Sequence, residues 1–490
     1  MPNGRHLAPL FVLGLGGCAL APQYERPALP VAQQWSPSGP AVARTPAVDL
    51  GWRDFFADRR MQAVIALALE NNRDLRIATL NVIHARALYE VERADLVPGV
   101  DATGTGARVR TPATLSPDRA AHTTSTYSAG LSVSAYELDL FGRVRSLRTA
   151  ALEQYLATEE AQKGAQLALI AAVANQYVAE RADDEQRAIA QHTLESAGQT
   201  YALTERSYEV GSASELDLRT SETQVQTARA NLASLTQAHA QALNALILLV
   251  GAPLPEDLPP PEALERDRLI EDLPAGLPSE VLTRRPDVLE AEHNLKAANA
   301  SIGAARAAFF PSIGLTAFGG TSSADLDQLF KRGSGAWNFT PSLTLPLFTG
   351  GRNRANLDAA KAEKLIEIAQ YEKAIQTAFR EVADELVARS MVAELLDAQS
   401  SRLRADEQRY ALARQRYQQG IDSYVVFLTA QRDLYASQTL VVQARQARLT
   451  NLINLYKALG GGWSEHTPAA SQPGAALSGA PAANLTMHSS

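Results

Sequence analysis

Two stretches of the chain alternate apolar and polar residues with a period of two. In Trp337-Asn338-Phe339-Thr340-Pro341-Ser342-Leu343-Thr344-Leu345, the residues Trp337, Phe339, Leu343 and Leu345 fall on one side and Asn338, Thr340, Ser342 and Thr344 on the other. Tyr127 to Ala135 repeats the pattern, with Leu131 and Val133 opposed to Ser132 and Ser134. Successive side chains of a strand point to opposite faces, so this period predicts β-structure. Four strands are expected, at 99–110, 124–140, 311–322 and 336–348. One apolar and one polar face over about ten residues is the pattern of an outer-membrane strand. Phe309, Phe310 and Phe348 at one end, and Trp337 and Tyr127 near the other, suit two aromatic girdles. Membrane barrels need at least about eight strands, and lipid forbids an open sheet edge. Copies must therefore associate; a dimer would supply about eight strands and a trimer about twelve, and the pattern does not choose between them.

Elsewhere the pattern is helical. No proline occurs from Asp118 to Ala252 or from Leu347 to Thr467, and both stretches are rich in Ala, Leu, Gln, Glu and Arg, strong helix formers. They break at Gly211-Ser212-Ala213-Ser214 and Gly420-Ile421-Asp422-Ser423, compositions that mark turns between helices. The helix predicted over 143–207 would be roughly 100 Å long, with a return helix over about 214–250. Shorter helices are expected at 58–97 and 279–310. One such hairpin cannot hide its apolar stripe, so several should pack side by side into a tube.

The chain contains itself twice. Asp74 and Asp287 stand 213 positions apart, as do Arg93 and Arg306, and Pro98 and Pro311. Further on the offset is 209, linking Arg143 to Arg352, Tyr208 to Tyr417, Gly211 to Gly420, Ser214 to Ser423 and Gly251 to Gly460. The first copy thus carries four extra residues between Pro98 and Arg143, placed where loops absorb length differences. The expected divisions are a leader over 1–17, a tether over 18–50 and a first repeat over 51–252. A Pro-rich linker over 253–278, a second repeat over 279–463 and a disordered tail over 464–490 follow.

The chain has 490 residues, 46 % apolar and 20 % charged, with mean hydropathy −0.15. Beyond the leader no run approaches the roughly 20 apolar residues of a membrane-spanning helix, so any crossing must use strands. A net charge of −7 without a dense basic patch argues against nucleic acid as a partner. Arg5 and His6, the apolar run Leu7 to Leu15, and Gly16-Gly17 read as a leader. Cys18, the only cysteine in the chain, follows at once, and Leu15-Gly16-Gly17-Cys18 resembles the lipobox of bacterial lipoproteins. In that resemblance Cys18 is the acylated first residue of the mature protein, and Ala19 after it favours the outer membrane. The eight histidines show no metal spacing, and neither Gly-x-Ser-x-Gly nor a Walker loop is present. No catalytic residue, metal or cofactor is expected.

Three runs are similar to the TolC-like outer-membrane efflux channels, and within them to the lipoprotein branch used by drug pumps. They are Leu277-Pro278-Ser279-Glu280-Val281-Leu282-Thr283-Arg284-Arg285-Pro286-Asp287-Val288, continuing to Phe309-Phe310-Pro311; Glu137-Leu138-Asp139-Leu140-Phe141-Gly142-Arg143; and Leu455-Tyr456-Lys457-Ala458-Leu459-Gly460. The resemblance covers residues 18–463 and implies an α+β membrane protein. Its trimer would form one 12-stranded transmembrane β-barrel, continued by a periplasmic α-helical barrel with a partly β equatorial belt. It implies a passive duct exporting small molecules from a periplasmic adaptor and an inner-membrane pump of the resistance-nodulation-division type. A same-fold channel for type I protein secretion is the alternative. It also implies a gate at the periplasmic tip, with Asp217 linked to Tyr417, Tyr424 and Val425 at the narrowest ring, and Asp422 nearby. Gly211 and Gly420 would mark the tips where the adaptor docks. The chain departs from the pattern at Thr429, where the family often has Asp.

Overall fold

The computed structural model describes residues 20–35, 47–264, 269, 273 and 278–467. Nine α-helices and four strands lie among them: α1 (Trp52–Phe55), α2 (Arg59–Asn71), α3 (Arg73–Ala94), β1 (Asp101–Thr111), β2 (His122–Leu138), α4 (Arg143–Glu209), α5 (Glu215–Val250), α6 (Pro278–Leu282), α7 (Pro286–Ala307), β3 (Ser312–Ser323), β4 (Gly335–Thr344), α8 (Arg352–Gln418) and α9 (Tyr424–Ala458). The long helices α4 and α8 each run for 67 residues, one per repeat. No helix among the described residues is long and apolar enough to cross a membrane. The chain divides into two compact units, one drawn from 1–28, 81–159 and 290–372, the other from 29–80, 160–289 and 373–490.

The first unit holds the sheet. Its strands are antiparallel in the order β1-β2-β3-β4, so β1 and β4 are edges with no further strand beside them among the described residues. Residues directly opposite one another share a face. The register therefore collects Tyr127, Ala129, Leu131 and Val133 of β2 with Ile313, Leu315 and Ala317 of β3 and Trp337, Phe339 and Leu343 of β4. Trp337 is 81 % exposed and Leu343 67 %, so this apolar face has no cover among the described residues. Alternation does not persist through β2. Val133 pairs with Ala317 but Tyr136 with Leu315, an extra residue on one side that makes a β-bulge. Ala135 takes the left-handed conformation there, at φ 56°. The bulge returns Tyr136 and Leu138 to the apolar face. Below it, Arg143 grips Glu137 through two nitrogens, and the Arg145 backbone N–H donates to Asp139 at 2.9 Å, closing the first turn of α4.

The segment expected as a tether is extended but docked. In the first unit, Arg306 donates to the Leu20 carbonyl at 3.0 Å and Asn299 to the Pro22 carbonyl at 2.7 Å. The Arg26 guanidinium grips Glu292 at 2.6 and 3.0 Å. The attachment points on α7 therefore stand seven residues apart, about two turns each. Burial acts to raise the Glu292 carboxyl, but hydrogen bonds from Arg26 and the charge of Lys296 outweigh it and hold the group below its usual range. In the second unit Trp35 stacks on Phe379 at 4.7 Å. Cys18 and the leader lie outside the described residues.

The second unit has an aromatic core of Trp52, Phe55, Phe56, Met61, Ile65, Tyr177 and Tyr456. The helix expected over 58–97 is two helices divided at Asn72. Its side-chain oxygen accepts from Leu75 N–H at 2.9 Å while its amide donates to the Leu249 carbonyl at 2.8 Å, so a contact 177 residues away fixes the break. The helix expected over 279–310 is likewise α6 and α7, the second opening on Pro286, which lacks the N–H a first turn leaves unpaired. The tail expected from 464 begins in order: Trp52 N–H donates to the Ser464 carbonyl and Arg53 N–H to Glu465. Residues 468–490 lie outside the described residues. In the Pro-rich segment, Leu269 makes an isolated antiparallel bridge with Phe56.

Candidate gate at the helix-hairpin tips

Both glycine breaks are helix-ending turns of one design. Gly211 and Gly420 adopt φ +77° and +72°, a left-handed conformation that costs other residues roughly 1–2 kcal/mol. Each donates to the carbonyl three residues back, Tyr208 or Tyr417, at 2.9 Å. The next N–H reaches Ser207 at 2.8 Å or Arg416 at 2.9 Å. This pair of bonds is the Schellman cap, available wherever glycine can supply the turn.

Past the turns the two copies diverge. Ser214 caps α5: Asp217 N–H donates to its Oγ at 3.1 Å, and the Ser214 hydroxyl and N–H donate to Asp217 Oδ2 at 2.7 and 3.3 Å. This reciprocal box satisfies two otherwise unpaired donors. Ser423 makes no such bond at the start of α9. Instead Asp422 receives Arg416 through two nitrogens at 2.6 and 3.0 Å, which holds its carboxyl below the usual range.

Tyr417 stacks on Phe427 at 5.3 Å with the planes 7° apart, and Tyr424 lies 5.7 Å from Tyr417. Tyr424 and Phe427 are buried. Burial first, then the neighbouring Tyr417 and Asp217, pushes the Tyr424 hydroxyl up to about 12. The fold thus gathers Asp217, Tyr417 and Tyr424, while within one chain the Asp217 carboxylate bonds Ser214 rather than Tyr417. Val425 is 61 % exposed, and the Thr429 hydroxyl donates to the Val425 carbonyl at 2.8 Å.

Sequence reasoning missed Phe427 and the layer behind it. There Tyr410 lies 5.8 Å from Phe427 and Gln431 donates to Ser196 Oγ at 3.1 Å, joining α9 to α4. The seven-residue spacing of Tyr410, Tyr417 and Tyr424 was the available signal. A cavity of about 570 Å³ adjoins this layer, lined by Thr193, Thr223, Thr227, Gln431, Arg432 and Tyr435 among others. No cluster of metal-ligating side chains occurs among the described residues.

Comparison with known proteins accounts for almost the whole chain. The family of outer membrane efflux proteins matches at residues 64–252 and 277–461. The chain is 50 % identical over 463 residues to the antibiotic efflux pump outer membrane protein ArpC of Pseudomonas putida, covering 94 % of this chain and 95 % of that one. Identity and coverage are the same against the toluene efflux pump outer membrane protein TtgC of Pseudomonas putida. Among solved structures, the open state of the Neisseria gonorrhoeae MtrE outer membrane channel superposes with a TM-score of 0.86 at 42 % identity, covering 92 % of this chain and all of that one. With both repeats matched and the fold shared at that level, the chain belongs to the outer membrane efflux protein family.

Proposed function

We propose that this chain is the outer-membrane component of a tripartite efflux system, a passive trimeric duct carrying small molecules from a periplasmic adaptor and an inner-membrane pump to the exterior. The observation that carries this reading is the four-stranded sheet, with its exposed apolar face and two unpaired edges. Neither edge is tolerable in hydrocarbon, where each unpaired backbone group costs several kcal/mol. Three copies would pair β4 of one with β1 of the next and close a barrel of about twelve strands, within the range such barrels adopt. Relatives named for antibiotic and toluene efflux favour small molecules over secreted proteins as cargo; the inner-membrane pump proposed with them is of the resistance-nodulation-division type. Purified from outer membranes, the protein should run as a trimer by native mass measurement and form pores in planar bilayers. A stable monomer with full strand content would refute the reading.

Cys18 joins the duct to outer-membrane lipid as an acylated residue. Cys18→Ser should lose incorporation of labelled palmitate while pores persist; retained label would remove the anchor.

The tip turns form the gate and the adaptor-docking end. Asp217 leaves its capping box to meet Tyr417 in the closed trimer, linking the two helix pairs, and exposed Val425 lines the narrowest ring with Tyr424 and Asp422. A hydrogen bond to a charged group contributes about 1.5–3 kcal/mol, repeated around the trimer. Asp217→Ala with Tyr417→Phe and Val425→Ala should therefore raise single-channel conductance severalfold with the trimer intact. Unchanged conductance would place the gate elsewhere.

A further inference from the structure

Two arginines stand on the apolar face of the sheet. The register sets Gly106 opposite Tyr127, Arg108 opposite Ser125 and Arg110 opposite Thr123, while Tyr127 in turn meets Ser323, the last residue of β3. Arg108 and Arg110 therefore share the face of Tyr127, Leu131, Trp337 and Phe339. From Ile313 to the Tyr127 level this face rises ten residues along β3, about 34 Å along the strand. After the usual tilt that becomes about 25 Å of height, the thickness of the apolar band of an outer-membrane barrel. Past Tyr127 only β1 and β2 continue as strands, and they carry Arg108 and Arg110 roughly 7 and 14 Å farther along the strand. This is the end of the sheet where the hairpin loops lie, opposite the end where the helices join.

Both arginines are exposed, and neither has an acidic partner among the described residues. The acid of the hairpin, Asp118, is held by His122 at 2.6 Å, and His122 lies opposite Thr111 on the other face. Two free guanidiniums one strand period apart, flanked by the hydroxyls of Ser125 and Thr123 and set just outside the hydrocarbon level, are matched by an anion at that height. The planar fork of arginine suits phosphate oxygens, which it can grip through two parallel bonds.

We propose that Arg108 and Arg110, with Ser125 and Thr123, bind a phosphate of the phosphorylated glycolipid that forms the outer leaflet of the outer membrane. The inference rests on the proposed reading of the sheet as the wall of an outer-membrane barrel with its apolar face toward lipid. The site is repeated once per copy around the rim, so a trimer holds three.

The test uses the full-length trimer in detergent, titrated with bisphosphorylated lipid A and read by native mass measurement. The wild type should take up to three copies. Arg108→Thr with Arg110→Thr should bind at least tenfold more weakly, and Arg108→Lys with Arg110→Lys, which keeps the charge but loses the fork, should fall between that variant and the wild type. Fully dephosphorylated lipid A should bind the wild type as weakly as bisphosphorylated lipid A binds the threonine variant. Equal binding by the wild type and the threonine variant, or no preference for bisphosphorylated lipid A over its dephosphorylated form or phosphatidylglycerol, overturns the proposal. So does loss of the trimer in the threonine variant with lipid binding intact, which would assign the arginines to the contact between copies. A parallel measurement separates this failure from failure of the barrel reading. In vesicles of brominated lipid, tryptophan fluorescence should be quenched through Trp337, and the quenched component should vanish in Trp337→Phe. Quenching without a lipid A difference defeats the phosphate site alone; no quenching through Trp337 defeats the barrel reading and the site together.

Discussion

Arg285→Ala is expected to destabilise the protein by about 3 kcal/mol, a typical cost for removing one member of a buried ion-pair network. The Arg285 side chain is 8 % exposed. It donates to Asp287 through two nitrogens at 2.8 and 3.0 Å, to Glu381 at 2.8 Å and to the Ala458 carbonyl at 2.6 Å. One guanidinium thus ties the start of α7 to the middle of α8 and the end of α9. Removing it strands a buried carbonyl and leaves two carboxylates facing each other. Because Asp287 and Glu381 are 46 % and 38 % exposed, water relieves part of that cost and the loss falls toward the lower end of the usual 3–5 kcal/mol. Arg285→Lys keeps the charge but cannot serve three partners in one plane, so it should lie between wild type and Ala. The measurement is the thermal midpoint of helical circular dichroism for the purified protein. Identical midpoints for all three proteins would mean that the network contributes nothing to the fold.

The second large effect is expected at Tyr456. Its ring is 2 % exposed and stacks on Phe55 at 4.0 Å with the planes 15° apart. Phe56 meets it edge-on at 6.2 Å. Its hydroxyl donates to the Leu50 carbonyl at 2.6 Å. Tyr456→Ala empties a ring-sized space among side chains that cannot collapse into it, at a cost of about 3–5 kcal/mol. Tyr456→Phe keeps the ring and loses only the hydroxyl bond, roughly 1 kcal/mol. Denaturant unfolding should therefore rank wild type, Phe and Ala in that order, with the gap to Ala several times the gap to Phe. A similar loss in both variants would mean that the hydroxyl, not the stack, supports this core.

Arg285 and Tyr456 belong to the runs that most closely resemble the efflux channels, and both turn out to brace the second unit rather than line a passage. Resemblance located them but said nothing of their task. The physical difference is one of range. Arg285 and Glu381 are 96 residues apart and Arg285 and Ala458 are 173 apart, so no local pattern records that they meet.

What the sequence determined by itself is everything set within a turn or two of backbone. Period-two alternation marked β2 and β4 to within a few residues, proline-free runs marked α4 and α8, and two glycines marked turns that need a left-handed residue, since all of these depend on near neighbours alone. Only the tertiary structure decided what depends on distant partners. Asn72 divides a continuous helical pattern because the Leu249 carbonyl takes its amide. The composition of residues 20–35 suits a free tether, yet Glu292 and Phe379 offer a half-buried ion pair and a stacked ring that outweigh its chain entropy. The bulge at Ala135 reverses the alternation of β2, so Tyr136 and Leu138 would be assigned to the wrong face by counting alone. A strand's period is local, but the register that says which face it shows is settled only by the strand beside it.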